Sequence, residues 1–155
     1  MDVLTRIPHA YPRRFLPELV DFSSWSKVQP FFLDLAGRKL DTRTALECWI
    51  TDRSELMDVI NEEGSLRYMR MTCDTENKEL EKAYFHFLEE ISENVKSADD
   101  RLKRQFLESP ARAQLDRDRF LVIDRSFRND VDLFREENIP LETEESKLSQ
   151  SYQKI

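Results

Sequence analysis

Apolar residues along this chain recur three and four positions apart, which is the spacing of one face of a helix, instead of alternating as in a strand. The clearest stripe is Leu80, Ala83, Tyr84, Phe87, Leu88 and Ile91. Asp74 and Thr75 precede this stripe, and both are good helix N-cap residues. We therefore predict a helix that begins at this pair and ends near Asn94.

The same spacing predicts helix over about 42–73, with residues 52–55 either a bend or a continuation, and a second long helix over about 110–134. Gly64 lies inside the first of them, where a glycine costs about 1 kcal/mol relative to alanine. Close packing against another backbone would explain a glycine at this position. The second helix carries three rings at seven-residue intervals, which places them on one side: Phe120, Phe127 and Phe134.

Prolines and polar pairs predict where the remaining helices begin and end. Pro30 is expected to interrupt the first helical segment, so that a short turn is followed by a second helix over 30–36. Ser97 followed by Asp100 resembles a capping pair and predicts a new helix over about 97–108. Because the connections are short, neighbouring helices are expected to be antiparallel. The predicted fold is an all-α bundle of six or seven helices.

The two ends of the chain differ from its helical middle. Three prolines within residues 1–21 predict an extended arm that lies against a helical domain over 22–155. A last helical stripe follows the proline at position 140 and consists of Leu141, Leu148, Tyr152 and Ile155. This stripe has no evident partner in the chain, so we expect the domain to be truncated at its C-terminal end.

Composition agrees with a helical domain and excludes several classes of protein. Hydrophobic residues are 39% of the 155 residues and charged residues 35%, with only two glycines, which suits helices better than turn-rich β-folds. The net charge of −7 argues against nucleic-acid binding. No apolar run reaches the roughly 20 residues of a membrane span, and no signal-peptide core is present. We expect a cytoplasmic protein that does not bind membranes, with Cys48 and Cys73 as buried, reduced thiols.

The sequence offers little catalytic chemistry. A zinc hydrolase needs three protein ligands, whereas this chain has two histidines, His9 and His86, and no HExxH motif. His86 lies beside an apolar stripe and is predicted to be a partly exposed helix residue. Neither cysteine has a histidine nearby in sequence, and two glycines cannot form a P-loop or a dinucleotide-binding fingerprint. We predict no catalytic, cofactor-binding or metal-binding residue in this chain.

A run of arginines is the strongest candidate for anion binding. It consists of Arg112, Arg117, Arg119, Arg125 and Arg128. Three aspartates, Asp116, Asp118 and Asp124, are interleaved with these arginines. A helix surface crossed by salt bridges is therefore favoured over a phosphate-binding face.

Four groups of residues occur in a recognisable order along the chain. They are Leu46–Ile50 with Asp52 and Ser54–Leu56, Arg67–Met69 with Met71–Thr75, Ala83-Tyr84 with Phe87, and Phe134–Leu141. Together they resemble the N-terminal region of the oligoendopeptidase F group, within the thimet-type oligopeptidase family of zinc peptidases. The resemblance runs from about Phe22 to Ile155 and includes no catalytic signature.

The resemblance implies a largely helical, two-lobed peptidase in which an N-terminal helical part forms one wall of a channel for short peptides. Zinc and the HExxH motif are expected in a catalytic lobe that this chain lacks and on which it docks. We expect the chain to be the N-terminal domain, or a fragment, of such an enzyme, without activity alone. The alternative is a free-standing helical interaction module, and the last apolar stripe also permits a homo-oligomer.

Overall fold

The computed structural model describes residues 13–152, and this part of the chain folds into helices joined by short turns, without a strand. Its α-helices are α1 Trp25–Gly37, α2 Arg43–Cys73, α3 Lys78–His86, α4 Glu93–Glu108, α5 Arg117–Leu133 and α6 Asn138–Tyr152. A π-helix, Phe87–Ser92, joins α3 to α4, and a 3-10 turn, Pro110–Gln114, precedes α5. The predicted all-α class is confirmed.

Helix α1 continues through Pro30, so the predicted interruption there is wrong. A proline inside a helix removes one backbone hydrogen bond and costs about 3 kcal/mol. Val28, Phe32 and Leu35 are buried on both sides of it. Each of these side chains contributes about 1.5–3 kcal/mol when buried, so their combined packing outweighs the cost of the proline. The helix ends at Gly37, close to the predicted end.

Helix α3, the π-helix and α4 form one continuous rod over Lys78–Glu108. Asn77 caps the start of the rod, because its side chain accepts hydrogen bonds from two backbone N–H groups of the first turn. This cap lies two positions beyond Thr75, the second of the two predicted cap residues. Ser97 lies inside α4, so the predicted helix start there is wrong. Asp100 does not cap a helix either, since it is buried and forms an ion pair with Arg104 at 2.7 Å.

The rod is the centre of the bundle, since α1, α2, α5 and α6 each pack against part of it. Helix α2 runs antiparallel to the rod, as predicted for neighbouring helices. At one end of this contact Gly64 of α2 meets Phe87, and at the other Trp49 stacks on Phe106 with ring centroids 6.3 Å apart. The 31-residue α2 is uninterrupted through residues 52–55 and spans about 46 Å at 1.5 Å per residue.

Helix α1 is the exception to the antiparallel arrangement, because it runs parallel to the rod. At the start of α1, the backbone N–H of Trp25 donates to the carboxylate of Glu90, near the middle of the rod. Near their ends, the Gln105 side chain donates to the carbonyl of Ala36 at 3.1 Å. These two contacts advance in the same direction along α1 and along the rod.

Gly64 faces an aromatic ring rather than another backbone. A Cβ atom at Gly64 would lie 2.9 Å from Cε1 of Phe87. The Phe87 ring is buried and meets the Phe22 ring edge-on, with centroids 6.2 Å apart. A close approach at Gly64 therefore exists, and its partner is a side chain and not the backbone that would also have explained the glycine.

Two of the three evenly spaced phenylalanines lie on the inner side of α5. Phe120 and Phe127 are buried, as their spacing predicts, and the Phe127 ring packs edge-on against Phe106. Phe134 lies one residue beyond the end of α5 in extended backbone. It therefore does not continue the row, and it is only half-buried.

Residues 13–21 form a non-helical segment that lies against α2. The backbone N–H groups of Arg14, Phe15 and Leu16 donate to the Glu55 carboxylate of α2 at 2.9, 3.1 and 2.8 Å. The Leu16 side chain is buried in the core. The remainder of the predicted arm, residues 1–12, lies outside the described residues, so the boundary between an arm at 1–21 and a domain at 22–155 stays a prediction.

Candidate functional site

Among the described residues, the fold does not bring His86, Cys48 and Cys73 together into one site. His86 is exposed, as predicted, and its Nε2 lies 2.9 Å from the carbonyl oxygen of Ser23. His9 lies outside the described residues. Within residues 13–152, no group of three or more His, Cys, Asp or Glu side chains is arranged to hold a metal ion. The described residues therefore do not supply the ligand set that zinc requires.

Cys48 and Cys73 are free thiols, and both are exposed, so the prediction that they are buried is wrong. Cys48 lies on the outward face of α2, while its neighbours Leu46 and Trp49 face the core. Cys73 is the last residue of α2, where the helix gives way to the turn that leads into the rod. Neither thiol fills a core position.

A cluster of charged side chains ties α2, α4 and α5 together, and it is buried at Arg53 and Asp99 and exposed at its α5 end. We call it the buried ion cluster, and it consists of Arg53, Asp99, Lys103 and Asp130. The Arg53 guanidinium of α2 donates to Asp99 of α4, with Nε 2.8 Å and Nη2 2.5 Å from Oδ1. Arg53 also lies over the Phe127 ring, 4.4 Å from its centroid. Lys103 bridges Asp99 at 3.0 Å and Asp130 of α5 at 2.9 Å.

The two carboxylates beside Lys103 offset the effect of burial on the pKa of its ammonium group. Burial alone would lower the pKa of Lys103, but the carboxylates of Asp99 and Asp130 outweigh it, and the pKa is raised. Lys103 therefore remains charged, as an ion-pairing role requires. The sequence analysis missed this cluster, although one signal is present: Arg53 lies within the helical stripe of buried apolar residues that includes Trp49 and Leu56.

A groove of about 940 Å³ runs along the outer face of α2, and its lining holds more acidic than basic side chains. We call it the α2 groove; its charged lining residues are Glu47, Asp52, Glu55, Asp58, Glu62, Arg13, Arg14 and Arg119. Burial alone would raise the pKa of Glu55, but its three backbone N–H donors outweigh burial and lower it. Glu55 is therefore ionised at neutral pH. Asp52 and Glu47 already pair with Arg38 and Arg43, so the excess of negative charge in this groove is small.

A second groove, of about 660 Å³, lies between α5 and the turn before it, and its lining is mainly basic. We call it the α5 groove; its charged lining residues are Arg112, Asp116, Arg117, Asp124, Arg125 and Arg128. Arg112 and Arg128 both pair with Asp124, at 2.5 and 2.8 Å. The Arg112 hydrogen bond outweighs partial burial and lowers the pKa of Asp124.

The arginine run of the sequence is thus salt-bridged in part, as predicted. Arg112 and Arg128 are engaged with Asp124, and the Asp116 side chain caps α5 by accepting from two backbone N–H groups. Among residues 13–152, neither Arg117 nor Arg125 forms an ion pair, and both are exposed. These two guanidinium groups remain available to an external anion.

Helix α6 presents an uncovered apolar face. Leu141, Leu148 and Tyr152 are 61%, 71% and 79% exposed, which confirms the predicted unpartnered stripe for these three residues. Ile155 lies outside the described residues. The opposite side of α6 holds it to the rod, where Ile139 is buried and Glu142 accepts from Lys96 at 2.6 Å. The exposed face is therefore fixed in place and does not belong to a loose end.

The fold and these surfaces define an all-helical domain with two oppositely charged grooves and an uncovered helix face. Residues 23–134 match the sequence profile of the Peptidase M3 N-terminal domain family. Because the match covers more than two thirds of the chain, the chain belongs to this family of metallopeptidase N-terminal domains. No curated protein sequence and no solved structure shows significant similarity to it. Within residues 13–152, no helix is long and apolar enough to cross a membrane.

Proposed function

We propose that the chain is the N-terminal helical domain of an oligoendopeptidase F-like zinc peptidase that hydrolyses short peptides. In this proposal the domain forms one wall of the substrate channel, docks on the catalytic lobe and has no peptidase activity alone. The observation that carries the proposal is the family match over residues 23–134. Assignment to the oligoendopeptidase F group is more specific than the family match, and it rests on the resemblance of the four residue groups described above.

The apolar face of α6 supports docking on a catalytic lobe. Leu141, Leu148 and Tyr152 lie on a helix that the rod already holds by its opposite side. Burying one such side chain contributes about 1.5–3 kcal/mol, so covering all three would give a substantial interface. An adjoining lobe of the same protein covers such a face without the entropic cost of bringing two molecules together.

The two grooves support a role in contacting peptides. A short peptide carries a free ammonium at one end and a free carboxylate at the other. The α2 groove is acidic and the α5 groove is basic, and Phe120 of α5 lines both. Since the described residues supply no zinc ligand set, we place zinc in the catalytic lobe and assign no step of hydrolysis to this chain.

The coding sequence that follows Ile155 tests the proposal most directly. A reading frame that continues into an HExxH motif supports it, because the metal ligands would then belong to the same protein. A stop codon directly after Ile155 refutes it and favours the free-standing interaction module. Purified chain should also show neither zinc binding nor zinc-dependent peptide cleavage, and cleavage by the chain alone would overturn the proposal.

Docking through α6 has a separate test in the protein that contains the catalytic lobe. Leu148→Asp places a charge in the proposed interface and should reduce peptidase activity and thermal stability. Leu33→Asp is the matched control, because Leu33 of α1 is similarly exposed at 61%. Equal effects of the two variants would contradict docking through α6. If the isolated chain instead sediments as a dimer that Leu148→Asp dissociates, a second copy covers this face.

A further inference from the structure

The α5 groove carries a regular pattern of charge and apolar surface along one side of a helix. Arg117, Leu121 and Arg125 are spaced four residues apart, so their side chains lie one above another. Successive members of this row are about 6 Å apart along the helix axis at 1.5 Å per residue. Leu121 is half exposed, and the buried Phe120 beside it also lines the groove. The row therefore presents a cation, an apolar surface and a second cation at even intervals.

The charge of the groove differs in sign from that of the whole chain. Its lining holds four arginines and two aspartates, whereas the chain as a whole has a net charge of −7. Asp124 is already shared by Arg112 and Arg128. The two outer cations of the row, Arg117 and Arg125, are those without an ion pair among residues 13–152. A ligand with two carboxylates complements them.

An extended peptide has the matching repeat. Side chains two residues apart lie on the same side of an extended chain and are separated by about 6.6 Å. Consider a five-residue segment with Glu or Asp at the first and fifth positions and an apolar residue at the third. Its carboxylate, apolar group and second carboxylate are spaced nearly as Arg117, Leu121 and Arg125 are.

We propose that the α5 groove binds an extended acidic peptide segment of this pattern, with carboxylates on Arg117 and Arg125 and an apolar side chain against Leu121 and Phe120. The proposal goes beyond a channel wall, because it names the class of peptide and the residues that select it. Peptide binding is measured on the chain alone. A negative result would therefore leave the proposed role in a zinc peptidase unaffected, and failure of that proposed role would leave peptide binding unaffected.

The test is fluorescence anisotropy with the labelled peptide Glu-Ala-Leu-Ala-Glu and the purified chain at low ionic strength. The composition-matched control is Ala-Glu-Leu-Glu-Ala, in which the carboxylates flank leucine directly and lie on the opposite side from it. We expect the first peptide to bind at least about fivefold more tightly, and added salt to weaken its binding. Equal binding of the two peptides, or no binding at millimolar concentration, would overturn the proposal.

Variants of the chain locate the site. Arg117→Ala with Arg125→Ala should weaken binding at least about fivefold, since exposed ion pairs contribute little each and two are removed. Neither residue holds the fold together by an ion pair, so the circular dichroism spectrum should be unchanged. Arg101→Ala removes an exposed arginine of α4 away from the groove and should leave binding unchanged. Unaltered binding by the double variant, or displacement of the peptide by inorganic phosphate at equal concentration, would refute it.

Discussion

Replacing Asp99 with alanine is expected to destabilise the domain strongly, because Arg53 would remain buried without a carboxylate. The Arg53 side chain is about 10% exposed, and the one carboxylate it contacts among residues 13–152 is Asp99, through both Nε and Nη2. Breaking a buried ion pair by removing one partner costs about 3–5 kcal/mol. Lys103 keeps Asp130 as a partner, so the loss is concentrated on Arg53.

This cost is a large part of the whole stability of a domain, which is about 5–15 kcal/mol. For a chain of this length, each kcal/mol shifts the melting temperature by about 2–4 °C, so Asp99→Ala should lower it by about 6–20 °C. Urea unfolding followed by tryptophan fluorescence measures the free energy directly, because Trp49 is fully buried beside the cluster.

Asp130→Ala is the matched control, because it removes the other carboxylate that contacts Lys103. The Asp130 side chain is 44% exposed, and an exposed ion pair is worth less than about 1 kcal/mol. Its effect should therefore be several-fold smaller. The double variant Arg53→Met with Asp99→Leu removes both charges and should be nearly as stable as the natural protein, or more stable. If Asp99→Ala costs no more than Asp130→Ala, the assignment of the cluster is wrong.

Three further substitutions test other parts of the fold. Gly64→Ala should destabilise the domain by up to about 2 kcal/mol in urea unfolding, because overpacking against Phe87 costs about 1–3 kcal/mol and the helix gains about 1 kcal/mol. Adding Phe87→Leu to this variant should relieve the overpacking. A single variant more stable than the natural protein would contradict the contact. Pro30→Ala should raise the melting temperature, because it restores a backbone hydrogen bond in a helix that is otherwise unchanged; a lower melting temperature would count against this account of α1. Glu55→Gln should be less stable than the natural protein at pH 7. Since the folded pKa of Glu55 lies below its unfolded value of 4.5, that difference is present above pH 4.5 and should shrink as the pH falls through the folded pKa; a difference that grows on acidification would refute it.

The helices were predictable where local sequence alone decides them. The 3.6-residue spacing of apolar positions located α2, most of the rod and α5, and it identified the face of α6 that no described residue covers. The errors occur where tertiary packing overrides a local signal. Pro30 is a helix breaker by itself, yet the core contacts of α1 keep the helix continuous. Ser97 followed by Asp100 has the composition of a cap, but Asp100 instead pairs with Arg104 along the helix.

The candidate surfaces were harder to predict, because each is built from residues distant in sequence. The arginine run was visible, but which of its members are free depends on the sharing of Asp124 by Arg112 and Arg128. The partner of Arg53 lies 46 positions away along the chain. A single sequence does not reveal such a pairing, since many carboxylates along the chain could be the partner of one arginine on an apolar stripe.

The buried ion cluster connects the helices that carry the two grooves. The α2 groove belongs mainly to α2 and the α5 groove mainly to α5, and both include Phe120. Arg53 of α2 and Asp130 of α5 are joined through Asp99 and Lys103 of α4. Directional hydrogen bonds between charged groups add to the register that interdigitated apolar side chains already favour. We therefore expect the cluster to help set the spacing between the acidic and basic grooves, so that a stable apolar replacement of Arg53 and Asp99 should preserve the fold while loosening that spacing.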